Sequence, residues 1–218
     1  MYQNYTINQL CLPIDLEIKL EENDFAHAIV QFVDSIPDEV FLPYYQSMGR
    51  PQYHPRMLLS IILCAYIQGV YSGRQIQNML IDSIRMRYLS QDQIPNFRTI
   101  NRFRVHPIMN DILDHSFIQF RELLVQSGLI SGSALYIDGT KNEKIESKET
   151  ASYYAQRKID VETVFGNIKQ NMKFKRFHVR GAEKIFKEVG LVFLAQNFRK
   201  LVIRVRKYEG KTIIQNQI

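Results

Sequence analysis

From Pro55 to Val70 the chain reads Pro-Arg-Met-Leu-Leu-Ser-Ile-Ile-Leu-Cys-Ala-Tyr-Ile-Gln-Gly-Val, apolar on almost every side. A helix with that pattern has no face to offer water, so other elements must enclose it. Its apolar run, Met57 to Ile67, is far too short to cross a bilayer, which takes about 20 residues. The chain therefore has to build a bundle of helices around this segment.

The flanking sequence supplies the partners. Asn23 suits the cap of a helix over 24–35, with Phe25, Ile29, Phe32 and Val33 on one stripe. Pro37 stops it, and Pro37-Asp38-Glu39 starts a short second helix. After the apolar helix, Ser72 and Gln75 have capping-box spacing for a helix over 73–84. Asn96 caps a short helix over 97–105, which His106-Pro107 ends. A long amphipathic helix spans 108–127, with Ile112, Leu113, Phe117, Phe120, Leu123 and Leu124 inward and Gly128 at its close.

The texture then changes. Ala134 to Thr140 reads as a strand ending in a polar turn, and 142–151 as a polar linker. A helix over 152–173 follows, then a short connector at 176–181 and a last helix over 182–207. The helices 152–173 and 182–207 suit a hairpin.

Charge is unevenly placed. Residues 1–50 carry net −6, and residues 151–218 carry 15 basic against 5 acidic side chains, net +10. A C-terminal third of that sign suits a polyanion such as nucleic acid, or a solvated basic face. Cys11 and Cys64 lie far apart, which excludes a disulfide scaffold and a cysteine zinc site. The five histidines show no ligand spacing. No basic-then-apolar stretch opens the sequence, so the expectation is an intracellular, cytoplasmic protein with no membrane partner.

Three constellations carry possible chemistry. The helix pair 73–84 and 97–105 suits a helix-turn-helix-like reader. Its second helix presents Arg98, Asn101, Arg102 and Arg104 against Ile100 and Phe103. The connection from Arg85 to Asn96 is longer than the tight turn of the simplest modules. Asp138 closes the strand, where it reads either as a catalytic acid or as an Asp-Gly turn residue. On the helix 152–173, Lys158, Glu162, Lys169 and Lys173 fall along one edge. That edge reads either as a metal-binding acid among phosphate-binding cations or as ordinary surface pairing.

Two blocks of sequence change the balance between these readings. The first runs Tyr53-His54-Pro55-Arg56-Met57-Leu58-Leu59, Ala65-Tyr66, Gly69-Val70, Ser72-Gly73-Arg74-Gln75-Ile76 and Arg98-Thr99-Ile100-Asn101-Arg102-Phe103-Arg104. The second runs Tyr136-Ile137-Asp138-Gly139-Thr140-Lys141, Asp160 to Lys169, Arg176-Phe177, Arg180-Gly181, Glu188-Val189-Gly190-Leu191 and Ala195-Gln196-Asn197. In combination and order they resemble bacterial insertion-sequence transposases of the DDE type, which have an RNase H-like catalytic core. The resemblance implies that Asp138 and Glu162 are the first and last catalytic acids and metal ligands, with Mg²⁺ as the family's cofactor. It implies that Lys169 contacts terminal DNA. Tyr154 and Arg157 keep the family's mutual spacing, but Arg157 stands one residue too far from Glu162, and Lys158 holds the corresponding helical position. Lys158, Lys169, Lys173, Arg176 and Arg180 join Arg98, Asn101, Arg102 and Arg104 as the expected DNA contacts. The implied partner is DNA, at the terminal inverted repeats of the element, with a homo-oligomer or a hetero-oligomer with full-length transposase.

The departure from the family is as informative as the match. Only 23 residues separate Asp138 from Glu162. Family members place several strands and the second catalytic Asp in that interval. Five strands alone need roughly 25 residues, and the polar linker has no strand pattern. The expected fold is therefore mainly α. It comprises a helical N-terminal DNA-binding domain over 1–128, helix-turn-helix-like at about 73–105. A truncated, α-rich remnant of an RNase H-like domain follows over 134–218, with at most one or two short strands. The expected function is that of a transposase that binds element ends for DNA transposition but is catalytically crippled, the second Asp being absent. The alternative is a non-catalytic regulator or inhibitor of full-length transposase.

Overall fold

The computed structural model describes residues 20–21, 24–45, 52–126 and 165–215, with the side chains of the last helix described as far as Leu201. These residues are mainly helical, and there is no strand among them.

Helix α1 (Phe25–Ser35) is capped by Asp24, whose carboxylate accepts the Ala26 N–H at 2.8 Å. The cap is thus Asp24, one residue beyond the expected Asn23. Its buried stripe is Ala26, Ile29, Phe32 and Val33. The short helix expected after Pro37 is a pair of 3₁₀ turns, Asp38–Val40 and Leu42–Tyr44. Helix α2 (Pro55–Ile67) is the enclosed one, with every residue from Leu58 to Ile67 buried. It ends at Gly69, where φ is +78° and a Cβ would lie 3.0 Å from the Met172 carbonyl oxygen. Only glycine suits that turn.

Helix α3 (Gly73–Asp82) starts at Ser72, but the Ser72 side chain makes no capping bond, so the capping box is not formed. Helix α4 (Ile84–Ser90) occupies the first half of the connection that the sequence reads as loop. Ser83 accepts the Met86 N–H and starts it, and Gln91 and Asp92 end it with positive φ. Helix α5 (Phe97–Arg104) is capped by Asn96 as expected, through the Arg98 N–H at 2.9 Å. Helix α6 (Met109–Gln126) buries Met109, Ile112, Leu113, Ser116 and Phe120. Phe117, expected inward, is exposed, and Leu123 and Leu124 are half-buried. The strand at 134–140, the linker and the first part of the helix 152–173 lie outside the described residues. A helical turn at 165–170 is followed by an irregular connector, and then by α7 (Ala182–Gln215).

The connector and α7 share the core of the N-terminal helices. Leu191, Leu194, Ala195 and Phe198 of α7 join the α2 residues in one buried cluster, with Ile168 and Met172. Phe32, Phe120 and Phe198 meet edge to face or tilted, with centroids 4.8 to 6.0 Å apart, which ties α1, α6 and α7 together. Gly190 lets α7 approach α6, because a Cβ there would lie 2.7 Å from Leu113 Cδ1. Described residues on both sides of 127–164 thus contribute to one buried cluster.

Arginines lock the helix ends. Arg85 clasps Asp24 with two guanidinium nitrogens, Nε at 2.8 Å and Nη2 at 2.5 Å, and its plane lies 4.2 Å from the Phe25 ring centroid. Burial raises the Asp24 pKa, but the bonds from Arg85 and Ala26 and the Arg85 charge outweigh it, so the carboxyl titrates below its usual range. Arg56 donates to the Val33 and Ile36 carbonyls and to Asp38, closing the C-terminus of α1. No helix of the described residues is long and apolar enough to cross a membrane.

Candidate nucleic-acid interface

Helix α5 carries the expected reading face, and α3 holds it in place. Gln77 on α3 accepts the Phe97 N–H at 2.8 Å, which pins the start of α5. Gly73 lets the two helices meet, because a Cβ there would strike the Asn101 side chain. At the far end, Lys187 of α7, itself buried, donates to the Val105 carbonyl at 3.4 Å and to Glu183 at 2.7 Å. A cation there satisfies an orphan carbonyl at the helix C-terminus. Burial, and then the nearby Lys187 charge, push the adjacent His106 below its ordinary pKa.

The expected contacts on α5 divide by burial. Arg98 and Arg102 are exposed one turn apart. Arg98 sits 5.8 Å from the Phe97 ring centroid, and Arg74 of α3 sits 5.1 Å from the same ring. Phe97 thus gathers two cations from two helices. Sequence reasoning missed Arg74, although its place directly after Gly73 at the head of α3 was visible.

Arg104 needs correction. It is 4% exposed, and its guanidinium donates to the Tyr66 hydroxyl at 2.8 Å, to the Tyr71 carbonyl at 2.6 Å and to the Asn101 side-chain oxygen. Arg104 is therefore an internal strut, not a surface contact. Asn101 is half-buried and spends its oxygen on Arg104. The simple two-helix expectation also changes, because α4 stands between α3 and α5 in the chain.

A second basic group lies along the connector. Lys169, Lys173, Arg176 and Arg180 are all exposed, and so is Lys175, which sequence reasoning left out. Lys173 takes a left-handed φ of +56°. The connector is fixed at two points. The buried Tyr71 hydroxyl donates to the Met172 carbonyl at 2.8 Å, and its ring meets Phe174 and His178. The buried Glu188 carboxylate accepts the His178 backbone N–H at 2.9 Å and faces its Nδ1 at 3.1 Å. Tyr71 also accepts from Arg104 through its carbonyl, so one residue links the connector to α5.

Asp138, Lys158 and Glu162 lie outside the described residues. Among the described residues no group of three or more His, Cys, Asp or Glu side chains could hold a metal ion.

A family model described as "Transposase domain (DUF772)" matches residues 14–106, the segment that holds α1 to α5. A second, described as "Transposase DDE domain", matches residues 133–202, from the expected strand into α7. Members of the DDE group work with divalent metal ions. No curated protein and no solved structure matches. Two transposase models thus match in chain order and together cover most of the sequence, and the chain belongs to the insertion-sequence DDE transposases.

Proposed function

We propose that this transposase-family chain binds the terminal inverted repeats of its element and that its strand chemistry is crippled. The observation that carries the binding is the exposed row of Arg98 and Arg102 on α5, joined by Arg74 at the Phe97 ring. Arginines presented from a short, capped helix suit phosphates and base edges together. The connector cations Lys169, Lys173, Arg176 and Arg180, with Lys158 upstream, extend the contact along the backbone. Its net charge of +10 over 151–218 supports that extension.

The chemistry is limited by its carboxylates. A two-metal centre holds its ions between acids that bridge them, and Asp138 and Glu162 are two where the family uses three. The 23 residues between them leave no room for the strands that carry the missing Asp. These residues do not fit a two-Mg²⁺ site.

A second reading, a non-catalytic regulator or inhibitor of full-length transposase, is favoured by one feature. Among the described residues, Leu191, Leu194, Ala195 and Phe198 of α7 share one buried cluster with α1, α2 and α6. A chain of that kind can occupy element ends in the cytoplasm, alone or in mixed oligomers, without cutting them.

The test is a gel shift on duplex carrying the parent element's ends and on scrambled duplex, across a salt series. End-specific binding that survives near 0.15 M salt supports the proposal. Equal, salt-labile binding to both refutes sequence reading and leaves only counterion release. Incubation with Mg²⁺ is expected to leave the duplex intact. Nicking that disappears in Asp138→Ala would overturn the crippled centre.

A further inference from the structure

We infer that the cleft between the helical turn at 165–170, the connector and α7 is a single-strand site, taking an unpaired base of a DNA strand while a cationic rim holds its phosphates. This rests on the DNA-binding reading above and extends it from duplex to single strand. The cleft encloses about 220 Å³. An apolar cavity of about 150 Å³ accepts a benzene ring, so there is room for one base.

Its walls are aromatic. Phe165 meets Phe193 edge to face at 5.9 Å, and Phe174 meets Phe177 in the same way at 5.5 Å. Phe165 and Phe177 remain 49% and 47% exposed. Val189 and Val192 of α7 also line the cleft. Its rim is basic. Lys169, Lys175 and Arg176 line the same cleft, and none of them forms an ion pair among the described residues.

The run Phe174-Lys175-Arg176-Phe177 supplies both chemistries from four consecutive residues. Aromatic faces beside unpaired cations answer a ligand that is flat and apolar in one part and anionic in the next. A single strand has that alternation in every nucleotide, because its bases are free to stack and its phosphates follow at fixed spacing. A duplex hides the base faces inside its own stack and offers the cleft only phosphates. The connector that builds one wall is held at Met172 by Tyr71 and at His178 by Glu188, so the stacking surface is set before the strand arrives.

The experiment is fluorescence anisotropy of the full chain with a labelled oligothymidylate and, separately, with a hairpin duplex of the element end. The parent chain is expected to bind both. Phe177→Ala is expected to weaken oligothymidylate binding roughly tenfold or more, since base–aromatic stacking supplies that much, while duplex affinity is unchanged. Phe177→Tyr keeps a ring and restores binding. Lys175→Glu, at an exposed position, weakens oligothymidylate binding without depending on aromatic packing. Failure of the parent chain to bind oligothymidylate, or equal binding by Phe177→Ala and the parent chain, overturns the site. So does a matching loss on duplex and single strand in Phe177→Ala. Oligothymidylate binding lost in Phe177→Ala, with no duplex binding by the parent chain, supports the site and refutes the duplex reading alone.

Discussion

Replacing Arg104 with Met separates a structural arginine from a DNA-reading one. The side chain keeps its approximate length and loses its donors. Three acceptors depend on those donors: the Tyr66 hydroxyl, the Tyr71 carbonyl and the Asn101 side-chain oxygen. Tyr66 and Tyr71 are buried and have no water to turn to. An acceptor left dry costs about 1 to 3 kcal/mol, while removing a buried cation returns part of its desolvation penalty. The Tyr66 hydroxyl can rotate to soften its loss, and half-buried Asn101 can reach solvent. The net expectation is a destabilisation of about 3 kcal/mol, a large share of the 5 to 15 kcal/mol available to a domain. Urea unfolding followed by circular dichroism reads it as a lower midpoint with an unchanged slope. Duplex affinity per folded molecule should stay at the parent value. The reasoning is refuted if Arg104→Met unfolds at the parent midpoint while its DNA affinity drops, because the guanidinium would then be reaching phosphate or base.

The exposed arginines should behave in the opposite way. Arg102→Ala should leave the urea midpoint unchanged and reduce the salt slope of duplex binding by about 0.9, one phosphate contact. Gly190→Ala should destabilise the chain by about 1 to 2 kcal/mol, because the added methyl meets Leu113 at 2.7 Å and overpacking exceeds the gain in helix propensity; a matched urea titration checks it. Tyr71→Phe should lower stability by about 1 kcal/mol by leaving the Met172 carbonyl without its donor, again read from the urea midpoint. Asp24 titrates below its unfolded value, so its contribution is full above about pH 4 and is lost as pH falls through the folded pKa. Stability measured downward from pH 5 should show that loss, and Asp24→Asn should flatten it.

What the sequence disclosed depended on whether the deciding contact was local. Helix α2 was legible because an all-round apolar run has few alternatives, and α5 because Asn96 caps it from next door. Helix α4 was not. It is seven residues long, and Ile84 at its start stays exposed while Met86 and Leu89 are buried, so no clean period marks it. The Ser83 cap was the available signal. On α6 the inward stripe was misplaced in one respect: Ser116 is buried and Phe117 is not, because the helix meets α7 through Leu113 and Phe120. The fate of Arg104 was invisible, since its partners Tyr66 and Tyr71 stand 38 and 33 residues away in sequence. At the candidate interface, Arg98 and Arg102 were legible as the polar side of a short helix. Arg74 was not, because its association with Phe97 requires α3 to lie against α5. The acids Asp138 and Glu162 rest on family resemblance.

The placement of α7 connects the fold to the proposed loss of chemistry. Leu191, Val192, Leu194, Ala195 and Phe198 are all buried in the cluster that encloses α2. Each of the larger side chains contributes about 1.5 to 3 kcal/mol on burial, so together they rival the whole stability of a domain. A transposase chain that lost strands between its first and last acids but kept this helix would retain the lid of its N-terminal core. It would also retain Lys187 at the end of α5 and Glu188 beneath the basic connector. Under the proposed reading, the cations offered to DNA are thus anchored by residues that follow Glu162 in the chain. The proposed loss of catalysis and the proposed DNA binding are separable for a physical reason. The acids need a sheet to bring them together, whereas the basic face needs only α2, α3, α5 and α7 packed on one another.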